Sequence, residues 1–185
     1  NQFQPNTGDA ALDESLRELA RVFGNTRGDP YWVDGMSTGD SKATLSKPCS
    51  NLTQAEYLDF GTHAVCTDDV KDIRHAVRYF LPRVALDLTR GNWWIDETPW
   101  DGEHLVSLLL RTSWKSWPAT EANAVRQWLE NWLRSAMENP SQSIRHVDEV
   151  TMLANQAGLC VPTVFEKVVK SNPDAALAWL ADQVV

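Results

Sequence analysis

The strongest constraint on this chain is the spacing of its apolar residues between positions 119 and 138. Ala122, Val125, Trp128, Leu129, Trp132, Leu133 and Ala136 recur at intervals of three and four. That period places all seven side chains on one stripe of an α-helix and cannot be satisfied by a strand, whose faces alternate every residue. A helix so marked must bury its stripe against other helices or a sheet.

The same period recurs elsewhere. Leu12, Leu16, Leu19, Ala20 and Phe23 form a stripe that Asp9 can cap and Gly24 can end. Thr53-Gln54-Ala55-Glu56 has the form of a capping box, opening a helix with Tyr57, Phe60 and Ala64. Asp68 and Asp69 can cap the next helix, striped by Val70, Ile73, Val77, Phe80, Leu81, Val84 and Leu88. Pro82 lies within it and predicts a kink or break near residues 79–81. Asp101 can cap a helix of Leu105, Leu108 and Leu109. Ile144, Val147, Val150, Leu153, Ala154 and Ala157 define another, stopped by Gly158. Residues 162–170 and 173–184 each start with proline, as two short final helices would.

Seven to nine helices joined by short Pro/Gly turns, without alternating strands, predict an all-α fold. The expected architecture is stacked antiparallel helical hairpins, either an irregular α-solenoid or an orthogonal bundle, in one domain over residues 1–185. No repeat of fixed period is present. Residues 24–50 carry four glycines and two prolines and are expected to form a long irregular loop.

Trp114-Lys115-Ser116-Trp117-Pro118 precedes the strongest stripe. Pro118 suits a first helical turn, with Ser116 or Thr120 as cap and Trp117 stapling onto Ala122 or Val125. Both tryptophans are expected to pack at a tight helical junction.

Three segments taken together resemble a known family. They are Leu52-Thr53 ahead of a helix, Tyr79-Phe80-Leu81-Pro82-Arg83 late in the following one, and the Trp-x-x-Trp-Pro segment at 114–118. In combination they resemble a family of bacterial all-helical proteins known chiefly as hypothetical, over residues 45–137 of this chain. The resemblance implies a helical fold and brings no activity, cofactor or catalytic residue.

The chemistry-bearing residues are scattered. His63, His75, His104 and His146 lie far apart, with no HExxH or HxH spacing, so no metal is expected. There is no G-x-S-x-G elbow. Residues 35–42 (GMSTGDSK) lack the phosphate-loop spacing. Cys49, Cys66 and Cys160 are too few and too widely spaced for a disulfide framework, and indicate reduced thiols in a cytoplasmic protein. Cys66 and Cys160 have apolar neighbours and are expected in the core. Arg27-Gly28-Asp29 and Asn51-Leu52-Thr53 match an adhesion tripeptide and a glycosylation acceptor, both coincidental in a cytoplasmic chain.

Function is argued from charge and tryptophan. The formal charge is −8, from 25 acidic and 17 basic residues. That surplus disfavours nucleic acid and anionic membrane and favours a cationic partner. Tryptophan occurs nine times in 185 residues. Trp128, Trp132 and Trp179 fall in helical stripes, whereas Trp93, Trp94 and Trp100 fall in the polar connection 90–102, where indoles serve as interface anchors. The expected binding residues are therefore Trp93, Trp94, Trp100, Asp96 and Glu97, with Arg83 either pairing a carboxylate or pointing into a groove. The function expected is a non-catalytic domain that binds another, cationic protein without a cofactor, as an immunity- or antitoxin-like inhibitor of a bacterial partner would. The alternatives are an enzyme built on His63, His75, Asp68 and Asp69, and a sugar- or nucleobase-stacking module using Trp93, Trp94 and Trp100.

Overall fold

A computed structural model of the chain describes residues 4–28, 46–53, 56–57, 64, 68–91, 102–139 and 144–182. Among these it is all-α, as the stripes require. Seven α-helices are described: α1 (Ala10–Phe23), α2 (Val70–Thr89), α3 (Gly102–Arg111), α4 (Ala119–Glu138), α5 (Ile144–Gln156), α6 (Val161–Ser171) and α7 (Pro173–Asp182). Single 3-10 turns occur at Cys49–Asn51 and Trp114–Ser116. No described helix is long and apolar enough to cross a membrane.

Helix α4 is the axis of the packing, touching α1, α5, α6 and α7, while α2 packs on α1, α3 and the 49–51 turn. The contact between α1 and α4 joins parts of the chain a hundred residues apart, as in a bundle rather than a stack of sequence neighbours. All seven residues of the α4 stripe are buried, and Trp128 and Trp132 stack at 5.4 Å and 12°. One helical turn separates them, so both rings lie over the same patch of core.

Helix ends follow their residues closely. Asp9 accepts from the N–H groups of Ala11 and Leu12, and Asp69 from that of Lys71. Glu56 and Thr53 bond reciprocally, completing the capping box. Gly158 ends α5 at φ +78°, and the N–H of Leu159 reaches back to the Ala154 carbonyl. A left-handed residue at this position satisfies the last carbonyls, and glycine adopts it without strain.

Four expectations are corrected. Of the kink or break expected near residues 79–81, the break does not occur: helix α2 runs unbroken through Pro82 from Val70 to Thr89, because burial of both flanks outweighs one lost hydrogen bond. Val70, the first residue of α2, is 46% exposed instead of core. Pro118 is the N-cap of α4 with no side-chain cap, while the Ser116 hydroxyl bonds the Ser113 carbonyl instead. Cys160 is exposed at the N-cap position of α6 instead of in the core.

The tryptophans at 114 and 117 do pack at a junction. Trp114 is 1% and Trp117 4% exposed. The Trp117 indole donates to the Thr112 carbonyl at 3.0 Å, sets its ring edge-on to Phe23 of α1, and carries the Arg74 guanidinium over its face.

Candidate functional site

Of the six residues expected to bind a partner, Trp93, Trp94, Trp100, Asp96 and Glu97 lie outside the described residues. Arg83 is described, and the fold engages it internally. It follows Pro82 on α2, and its Nε donates to Asp87 Oδ2 at 3.1 Å one turn later, both side chains being largely buried. Its guanidinium lies 5.6 Å from the centre of the Tyr57 ring.

Around this pair the 46–57 segment is tied to α2. The Tyr79 hydroxyl donates to the Lys47 carbonyl at 3.0 Å, and the Cys49 sulfur lies 3.8 Å from the Phe80 carbonyl. Tyr57 is fully buried, and its hydroxyl has no hydrogen-bond partner among the described residues. Burial raises the Asp87 carboxyl above the usual carboxylate range, against the pull of Arg83. Burial likewise raises the Cys49 thiol and the Tyr57 phenol. Both stay protonated near neutral pH, so neither is a nucleophile there. Chemically, the cluster fastens a loop segment onto a helix.

The residues of the enzymatic alternative are separated in use. Asp69 caps α2. Asp68 is fully exposed and faces Arg111 at 3.4 Å. His75 Nε2 lies 2.6 Å from the Arg27 carbonyl, and since a carbonyl only accepts, the imidazole donates there. His63, Cys66 and the side chain of His146 lie outside the described residues. Among the described residues no three metal-ligating side chains come together. Of the two described thiols, the one with chemical potential is Cys160. The Thr163 hydroxyl donates to its sulfur at 3.1 Å and, with the Thr163 backbone, lowers its pKa.

What the sequence did not single out is a set of exposed apolar side chains. Beside Val70 these are Leu110 at 49%, Met152, Val169, Leu177 at 65% and Leu180. Leu177 and Leu180 lie three residues apart on α7, with Ala178 and Ala181 also exposed. The signal was present in sequence: between Pro173 and Asp182 every residue but Asp174 is apolar, so part of the helix must face outward.

Comparison of the chain with protein-family models, curated proteins and solved structures finds no match.

Proposed function

We propose that this chain is a non-catalytic binding domain for a cationic protein, in the manner of an immunity- or antitoxin-like inhibitor. The observation that carries this reading is the charge of −8 on a chain whose cations are extensively neutralised. Arg17, Arg21, Lys47, Arg78, Arg83, Arg111, Arg134 and Lys167 each pair with a carboxylate of the same molecule. The surplus carboxylates therefore dominate the field met by an approaching molecule. Such a field speeds encounter with a cationic protein and repels nucleic acid. Exposed apolar side chains on a helical scaffold supply the short-range contact that charge alone does not.

The test is affinity capture from a lysate of the native host, at low and at high salt, with identification of bound proteins. A basic protein retained at low salt and released at high salt is the expected result. Retention of no protein at low salt would overturn the proposal.

A further inference from the structure

We infer that the outer face of the first half of α2 is a binding site for a single phosphate-ester dianion, held by Lys71 and Arg74. This site is independent of the cationic partner proposed above. Lys71, Arg74 and Arg78 stand at spacings of three and four, which lines them up along one side of the helix with neighbouring Cβ atoms about 5–6 Å apart. Like charges so placed repel one another. Arg78 is neutralised, because it donates to Glu121 of α4. Arg74 is not. It is partly buried, and its guanidinium lies 5.7 Å from the centre of the Trp117 ring. Trp117 is itself fixed by its bond to the Thr112 carbonyl and its contact with Phe23, so the indole holds the guanidinium in place. Among the described residues no carboxylate or carbonyl accepts from the Arg74 side chain, and the exposed Lys71 ammonium likewise has no ion pair. The result is a positioned fork of N–H donors beside an ammonium.

The carboxylates in this part of the fold are engaged or turned aside. Asp69 caps the Lys71 N–H, Asp68 faces Arg111 at 3.4 Å, and Glu121 holds Arg78. Asp72 follows Lys71 directly and so lies on a different side of the helix. Charge and shape then choose the ligand. A guanidinium fork takes two oxygens of one oxyanion, and an ammonium takes a third as a point charge. Two cations balance a dianion, which a phosphate ester nearly is at neutral pH and a single carboxylate is not. A nucleic acid would extend across the rest of a molecule charged −8 and be repelled by it, whereas one ester group meets only the two cations.

The experiment titrates the full chain at neutral pH with inorganic phosphate, glycerol phosphate and N-acetyl-phosphoserine amide, ionic strength being held constant with sodium chloride. Proton–nitrogen correlation NMR follows the backbone amides and the Arg74 Nε–H. Saturating shifts centred on residues 71–78 and Trp117 are expected with all three. Glycerol phosphate binding as tightly as the phosphoserine compound assigns the site to small phosphate esters; tighter binding of the phosphoserine compound assigns it to a phosphorylated protein segment. Arg74→Gln is expected to weaken binding on the order of tenfold, and Lys71→Gln about threefold. Lys170→Gln, which removes an exposed cation on α6, should leave it unchanged. Lys71 is exposed, so its variant keeps the test intact even where loss of Arg74 disturbs the Trp117 junction, and circular dichroism checks both. Acetate, a monoanion, should shift these residues only weakly. Equal binding of acetate, shifts that follow chloride alone, or binding insensitive to both Lys71→Gln and Arg74→Gln overturns the site. Absence of saturating shifts with all three phosphates also overturns it.

Discussion

Single side chains in this protein are set by how water reaches them, and the two described cysteines show it. Cys49 is buried and its thiol is pushed up, whereas Cys160 is exposed at the start of α6 with its thiol pushed down by Thr163. The thiolate is the reactive form. Iodoacetamide at neutral pH should therefore alkylate Cys160 in the native protein and Cys49 only after denaturation, as peptide mass mapping would show. Equal labelling of the two would contradict these environments. Asp9 gives a second prediction. Burial raises its pKa, but the Leu12 N–H and Arg134 more than offset this and hold it below its ordinary value. A depressed native pKa contributes stability that is complete above the unfolded value, near pH 4, and is lost as pH falls through the native one. Arg134 grips both Asp9 oxygens and also Glu138, so Asp9 joins the start of α1 to the end of α4. Asp9→Asn should lower the urea midpoint at pH 7 and narrow the gap from wild type as the pH drops below about 4.

At the scale of the element, the ends of helices carry most of the specification. Gly158 is the clearest case, because its φ of +78° is strained for any side chain and a Cβ there would collide with the ammonium of Lys115. That ammonium itself bonds the Gly158 carbonyl at 2.8 Å. Gly158→Ala should cost about 1–2 kcal/mol from the backbone alone, seen as a lower urea midpoint with unchanged slope. Ser113 is the complementary case. It adopts φ 52° without being glycine, where α3 gives way to the 114–116 turn. Ser113→Gly should leave the fold intact and raise stability by a fraction of a kcal/mol, about the strain released less the added chain entropy. Pro82 shows the limit of local rules. Its sequence position predicts a kink or a break, and the break does not occur: α2 continues, since the residues around it from Tyr79 to Thr89 are buried except for the partly exposed Arg83.

For the whole molecule, stability should be concentrated in α4, which packs against α1, α5, α6 and α7. Trp128 is fully buried and stacked on Trp132 in the middle of α4. Trp128→Ala should cost about 3–5 kcal/mol, a large share of the 5–15 kcal/mol typical of a domain, and calorimetry should show a much lower or absent melting transition. Much of this was legible in the chain. The stripes of α1 and α4, the caps at Asp9, Asp69 and Thr53, and the stop at Gly158 are local, and local chemistry reads directly from neighbouring residues. The packing of Trp114 and Trp117 was legible for the same reason. The exposure of Val70 and Cys160 was not, because whether a helix end meets another helix depends on residues distant in sequence. Pairing with a carboxylate was one of the two readings open for Arg83, and Asp87 one turn along its own helix supplies it; the contact with Tyr57 was not legible, because Tyr57 comes from another segment. By itself the sequence determined that the chain folds as helices, where their caps and stops fall, and that its charge is strongly negative, because these follow from composition and from contacts within a few residues. Only the tertiary structure decided that α4 is the common axis, that α1 returns to pack on it, and that Leu177 and Leu180 are left facing solvent. Those outcomes depend on which apolar stripes find one another, and burial is a property of the assembled molecule.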